Sequence, residues 1–190
     1  MCGIAGIFGK PDRDSIERMT TSMSHRGPDD LGYWNDEKVS LGHTRLSIID
    51  LSAAGHQPMV DEKEQVIIVF NGEIYNFQEI RNQFIANGYP FRSESDTEVV
   101  LRLYIKYGDD FVLYMRGIFA VAIYDRRLGP GKERLILARD HFGIKPLLFA
   151  EAGGRLLFAS ELKALLASGY ISRNIDPESL RDLLSIGSVY

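Results

Sequence analysis

Short apolar runs bounded by turn residues dominate this chain, and helical spacing interrupts them at a few places. Residues 3–8 (GIAGIF) read as a strand at the very start. Residues 12–23 carry Ile16, Met19 and Met23 at helical spacing, and the turn cluster Arg26-Gly27-Pro28-Asp29-Asp30 ends that helix. Strands are expected at 32–34, 39–43 and 46–49. A β-branched run at 65–70 follows, closed by the turn signal Asn71-Gly72. Asn76 opens a helix with Glu79 at N3, apolar Phe77, Ile80, Phe84 and Ile85, and Gly88 as terminator. The capping box Ser95-Asp96-Thr97-Glu98 opens another, bearing Val99, Val100, Leu103, Tyr104 and Tyr107 and stopped by Gly108. Strands follow at 118–124, 134–138, 147–150 and 156–159, with 126–133 as a hairpin loop. Ser160 is expected to cap a short helix, 161–167, that ends at Gly169. Asp176-Pro177 opens the last helix with proline at N1. Strands cluster with strands rather than alternating with helices, which favours α+β with largely antiparallel sheets over a doubly wound fold.

Composition narrows the function classes. The 190 residues suit one domain, and 45% apolar with 25% charged residues is ordinary for a chain that buries a core. A net charge of -4 with no basic stripe speaks against nucleic acid as a partner. No apolar stretch approaches the roughly 18 residues of a membrane span, and the start MCGIAGIFGKPD lacks a secretory n-region. The single cysteine forms no internal disulfide and suits a reducing, cytoplasmic location. The four histidines lack metal-ligand spacing, so no metal is expected.

Cys2 is the pivotal candidate. A lone cysteine is usually a small buried hydrophobe. At position two, removal of Met1 would place a thiol and a free α-amine on one residue. The amine, with a pKa of about 7.7–8.0, can take the proton of a thiol with a pKa of about 8.5. Nucleophile and base then come from a single residue. With Met1 in place the Cys2 nitrogen is an amide, the base is lost, and the chain is an inactive precursor. Asn71-Gly72 reads as a plain turn or as a pair of donors, carboxamide and backbone N–H, aimed at one oxyanion. Arg45 faces solvent or a structural carboxylate such as Asp50, or else offers its planar fork to a substrate carboxylate. Asp96 sits where helix N-termini favour acids, and together with Glu73 could also hold an α-ammonium group.

Taken together these segments resemble the class II glutamine amidotransferases, most closely the glutaminase domain of glutamine-hydrolysing asparagine synthetases. The matching stretches include MCGIAGIFG at 1–9, SHRGPDDLGYW at 24–34, LGHTRLSIIDLSAAGHQPM at 41–59 and FNGEIYNFQEIR at 70–81. They continue with SDTEVVLRLYIKYG at 95–108, RGIFAVAIYD at 116–125, LARDHFGIKPL at 137–147 and FASELKALL at 158–166. The resemblance implies an N-terminal-nucleophile hydrolase fold, a four-layer αββα sandwich with two largely antiparallel sheets. It implies Cys2 as nucleophile, Asn71 and Gly72 as oxyanion hole, Arg45 on the glutamine α-carboxylate, and Glu73 and Asp96 on the α-ammonium. Backbone groups of Leu46, Ile48 and Ile49 would line the pocket.

The implied reaction is hydrolysis of L-glutamine to glutamate and ammonia through a Cys2 thioester. The family's second domain, which activates aspartate with ATP, opens with a Ser-Gly-Gly-x-Asp-Ser loop that is not found here. ATP and magnesium are therefore expected only for that synthetase domain, and no cofactor for this one. Residues 1–185 are read as the glutaminase domain and 186–190 as the start of a connection to a C-terminal synthetase partner. A homodimer is also compatible with the sequence. The rival readings are an amidotransferase domain serving another acceptor, a non-catalytic glutamine-binding module, and an N-terminal-nucleophile amidase acting on other amides. The Arg45, Glu73 and Asp96 set weakens the last, since an unrelated amide has no amino-acid end to clamp.

Overall fold

The computed structural model describes residues 1–188; residues 189 and 190, the last two of the expected connection, lie outside them. Among the described residues nine strands form two sheets, with every neighbouring pair antiparallel. The strands are β1 Gly3–Phe8, β2 Asp30–Asn35, β3 Val39–Arg45, β4 Met59–Val60, β5 Val66–Ile74, β6 Gly117–Asp125, β7 Arg134–Arg139, β8 Leu148–Ala152 and β9 Arg155–Ala159. One sheet has the order β2-β3-β1-β9-β8, the other β4-β5-β6-β7. The helices are α1 Arg13–Thr21, α2 Phe77–Ala86, α3 Asp96–Tyr107, α4 Leu162–Ala167 and α5 Pro177–Ile186.

The two-residue period of a strand assigns its side chains to layers. On β1, Ala5 and Ile7 pack with Ile16 and Met19 of α1 and Leu165 of α4. Ile4 faces the other way and meets Ile67 and Val69 of β5 and Ala120 and Ala122 of β6. The alternate residues Val66, Ile68 and Phe70 of β5, with Val121 and Ile123 of β6, pack on Ile80 and Phe84 of α2 and Val99 and Leu103 of α3. Three apolar layers therefore separate α1 and α4, the first sheet, the second sheet, and α2 and α3. This is the expected four-layer αββα sandwich. Central strands buried on both faces explain why their sequences read as unbroken apolar runs.

Several local expectations change. Residues 46–49 are not a strand: β3 ends at Arg45, and the next backbone donors go to side chains, Leu46 N–H to Cys2 Sγ and Ser47 N–H to Asp29 Oδ2. Asn71-Gly72 is not a turn, because β5 runs on to Ile74 with Asn71 opposite Ala120 and Gly72 opposite Phe119. Glycine is required there for close approach, since a Cβ at Gly72 would lie 2.6 Å from the Ile118 carbonyl oxygen. The capping box is half-formed. Ser95 Oγ accepts the Thr97 N–H, but Glu98 turns away to accept the backbone N–H groups of Arg92 and Ser93. Asn76 makes no cap bond; its side chain instead donates to Tyr114 O and accepts from Arg116 N–H. Ser160 likewise spends its hydroxyl on the Ile4 N–H rather than on α4.

The contact between sheets is tight enough to test. A Cβ at Gly6 would stand 2.1 Å from Cε1 of Phe158, a fully buried ring in the central layer. Gly6→Ala is expected to cost about 1–3 kcal/mol by overpacking, read as a lower urea midpoint. Phe158→Leu in the same chain should recover part of that loss by removing the opposing ring atoms.

Candidate active site

One cavity of about 200 Å³ opens where β1 begins, β3 and β5 end and α3 starts. All nine residues singled out in the sequence line it: Cys2, Arg45, Leu46, Ile48, Ile49, Asn71, Gly72, Glu73 and Asp96.

Cys2 is partly buried just ahead of β1. Its Sγ lies 3.4 Å from the Leu46 N–H and 3.7 Å from the Leu46 carbonyl oxygen. Burial pushes the thiol pKa up, and the Leu46 N–H pulls against that shift by favouring the thiolate. The Cys2 carbonyl accepts 2.8 Å from Arg26 Nε, and Arg26 Nη1 is paired with Glu161 at 3.0 Å. Arg26 fixes the peptide that carries the thiol, a contact invisible from spacing because 24 residues separate the two. Met1 stands at the cavity wall with 57% of its surface exposed.

The second group follows from strand geometry. In an antiparallel pair, the N–H and C=O of successive residues point to opposite sides of the strand. Phe119 turns both backbone groups to the β7 side, its carbonyl accepting the Asp140 N–H and its N–H donating to Asp140 Oδ2, so its neighbour Ala120 faces β5 and pairs with Asn71. Phe70, Gly72 and Ile74 therefore point the other way. β4 reaches only as far as Ile68 on that side, so no strand lies alongside them. Ile74 N–H is taken by Asp96 Oδ2 at 3.1 Å, while the Gly72 N–H faces the cavity. Beside it, the Asn71 side chain is 1% exposed and its Nδ2 has no hydrogen-bond partner. A buried, unpaired carboxamide donor is costly to keep and marks a place where a ligand atom belongs.

Arg45 is 8% exposed. Its recorded partners are backbone carbonyls, Ser52 O at 3.0 Å from Nη1 and Asp50 O in short contact with Nη2. The Asp50 carboxylate, the expected structural partner, instead accepts from Ser52 and from Glu94 N–H. The guanidinium thus keeps its charge for the cavity. Opposite in sign, Asp96 is 6% exposed. Burial, opposed by the Ile74 N–H and reinforced by the Glu73 charge, raises its pKa from 3.8 to about 6. Glu73 is exposed at the rim. Lys145 also lines the cavity, on a turn gathered by Asp140, which accepts the backbone N–H groups of Phe119, Phe142, Ile144 and Lys145. Neither Lys145 nor Arg26 had a local signal beyond lying in a charged turn.

A thiol, an unpaired carboxamide donor, a cation and two carboxylates thus surround a space suited to a small zwitterion. The family model described as a glutamine amidotransferase domain matches residues 1–190. The chain belongs to that family. Asparagine synthetase [glutamine-hydrolyzing] 3 of Bacillus subtilis is 38% identical over 194 residues, covering 98% of this chain and 31% of that protein. Asparagine synthetase [glutamine-hydrolyzing] 1 of the same organism is 40% identical, covering 97% and 29%. The amidase chry2 of Gibberella zeae is 38% identical, covering 96% and 29%. This glutamine amidotransferase domain is thus homologous to a region of the asparagine synthetases and spans about a third of their length. Among solved structures, the glutamine phosphoribosylpyrophosphate amidotransferase of B. subtilis superposes with a TM-score of 0.75 at 22% identity, covering 88% of this chain and 44% of that one. That likeness shows that the two share this fold of two stacked antiparallel sheets between helical layers. No helix among the described residues is long and apolar enough to cross a membrane.

The buried Asp96 gives a measurable signature. Because folding raises its pKa, the ionised carboxylate destabilises the empty domain above pH about 6, and the penalty fades as pH falls from there toward 3.8. Asp96→Asn is therefore expected to stabilise the ligand-free domain at pH 7.5, by at most about 3 kcal/mol for two pKa units. The gain should shrink to near zero around pH 4, as read by urea unfolding at the two pH values.

Proposed function

We propose that this domain hydrolyses L-glutamine to glutamate and ammonia, with Cys2 as an N-terminal nucleophile after removal of Met1. The observation that carries the reading is the orphaned Asn71 Nδ2, buried and unpaired in the same cavity as the Cys2 thiol. Arg45 receives the glutamine α-carboxylate, and Asp96 with Glu73 receives the α-ammonium, so the side-chain amide is delivered toward Sγ. The freed α-amine of Cys2 takes the thiol proton, and Sγ forms a bond to the amide carbon. The carbonyl oxygen becomes an oxyanion held by Asn71 Nδ2–H and Gly72 N–H. Collapse breaks the C–N bond as the amine returns its proton to the leaving nitrogen, releasing ammonia and leaving a γ-glutamyl thioester. Water then adds to the thioester carbon, and glutamate leaves as the thiol is restored.

In the longer protein, the ammonia would serve an ATP-dependent synthetase domain that makes asparagine. A second reading, a different acceptor, is favoured by the amidase chry2, whose identity to this chain equals that of the B. subtilis asparagine synthetase 3. Both readings share the glutaminase chemistry.

Two experiments test this function. Intact mass and glutamate release on the chain supplied with glutamine should show loss of Met1, turnover, and a γ-glutamyl adduct. Cys2→Ala should abolish both adduct and glutamate. A folded chain free of Met1 that makes neither would reduce the domain to a glutamine-binding module. In the second, Asn71→Ala should lower kcat by about 10²–10³ with little change in KM, as for loss of one oxyanion donor. Arg45→Ala should chiefly raise KM. Equal losses of kcat and affinity in Asn71→Ala would remove it from the oxyanion role.

A further inference from the structure

The peptide unit that precedes the two donors is held in an unusual way. Phe70 faces the side of β5 that β4 leaves uncovered, yet both of its backbone groups are satisfied, each by a side chain. Its N–H donates to Gln57 Oε1 at 2.7 Å, and its carbonyl accepts from His43 Nε2 at 3.2 Å. The acceptor fixes the tautomer, so Nε2 carries the proton. His43 Nδ1 is then left bare, buried and without a partner. The ring is fully buried, and that burial holds its pKa down to about 3, so it stays neutral. Among the described residues its one hydrogen-bond partner is the Phe70 carbonyl. Gln57 is 5% exposed, and its Nε2 donates 3.0 Å to Thr97 Oγ1, next to Asp96 at the start of α3. A Cβ at Gly32 would lie 1.8 Å from the Gln57 carbonyl oxygen, so β2 packs directly against the Gln57 backbone.

An extension of β4 alongside Phe70 would satisfy the same two groups. That strand would also run on beside Gly72 and cover the N–H that opens on the cavity. Two side chains do the work of a strand without bringing a further backbone.

We propose that Gln57, with His43 on the opposite atom, is a positioning residue for the oxyanion donors. It holds the Phe70 peptide so that Asn71 Nδ2 and Gly72 N–H are both presented to the cavity that contains the Cys2 thiol, and it ties them to the Asp96 end of that cavity. The inference rests on the glutaminase reading above. Gln57 stands in the wall of the same cavity, but its Oε1 is spent on the Phe70 N–H and its Nε2 on Thr97 Oγ1, so it acts, like His43, through the register and tilt of β5. Displacing the donors weakens only interactions made with the developing oxyanion, so the effect falls on kcat rather than on KM.

The test uses the full chain in glutamate-release kinetics, with circular dichroism to confirm folding at the assay temperature. Gln57→Met keeps the volume and removes both hydrogen bonds. It is expected to lower kcat at least about tenfold, short of the 10²–10³ for outright loss of a donor. KM should move by less than about threefold, since the polar atoms of Gln57 are already bonded within the protein and methionine keeps the cavity wall in place. His43→Leu frees the same peptide from its other atom and should show the same split. Phe84→Leu, in the α2 core away from the cavity, should lose stability and keep its kcat. The inference is overturned if folded Gln57→Met and His43→Leu keep kcat within about twofold of the parent. It is equally overturned if they lose kcat and affinity together, or if neither folds, for then the clamp is structural. A parent chain that forms no thioester and releases no glutamate fails differently, since it refutes the glutaminase reading itself and the inference with it.

Discussion

A β-strand offers its backbone groups to both sides in turn, and a strand that loses one neighbour part-way along must satisfy every second residue by other means. β5 is in that position beyond Ile68, where β4 ends. Most of the site's geometry follows from how its exposed side is treated. Phe70 is held by side chains, Ile74 by the Asp96 carboxylate, and Gly72 between them is left open to the cavity. The opposite edge of β5 is paired with β6 from Val66 to Ile74, which keeps the whole arrangement rigid. A ligand-facing N–H is thereby built into a sheet core, where its direction is set by nine paired residues instead of by a loop.

The other half of the cavity belongs to the first sheet. Cys2 leads into β1, Arg45 ends β3, and the segment after Arg45 folds back so that the Leu46 N–H meets the thiol. The two sheets are pressed together by an apolar layer that includes Ile4, Val69, Ala120 and Phe158. Thiol and carboxamide therefore meet across an interface that side-chain packing holds at close-packed density. The charges follow the same division of labour. Arg45 is satisfied by backbone carbonyls that do not neutralise it, whereas Asp96 is buried with Glu73 near and without a recorded cation partner. Both arrangements cost stability in the empty domain, and both suit a zwitterion that brings one charge for each.

The sandwich was legible because its evidence is local. Two-residue periodicity, Gly108 and Gly88 as helix stops and the Pro177 start all act within a few residues, and each recurs in the structure. The failures are local signals overruled from a distance. Asn71-Gly72 has the composition of a hairpin turn, but β6 pairs straight through it, and the glycine serves a close approach to Ile118. Ser160 has the composition of a cap, but its hydroxyl is taken by the Ile4 N–H, 156 residues away. Residues 46–49 have the apolar content of a strand, but the Leu46 and Ser47 N–H groups are taken by the side chains of Cys2 and Asp29, and the segment joins neither sheet among the described residues.

The identities of the chemical groups, and the family they belong to, were thus present in the order of residues. A thiol at position two, an Asn-Gly pair, an arginine among apolar neighbours and an acid at a helix start are properties of single positions and their immediate surroundings. What those groups are to one another was decided only by folding. The free Asn71 amide, the unneutralised Arg45, the raised Asp96 pKa, the Arg26 hold on Cys2 and the clamp on Phe70 each depend on contacts between residues 13 or more positions apart, or on the absence of a partner that the chain could have supplied. Burial and pairing are properties of the packed chain, and no local pattern carries them.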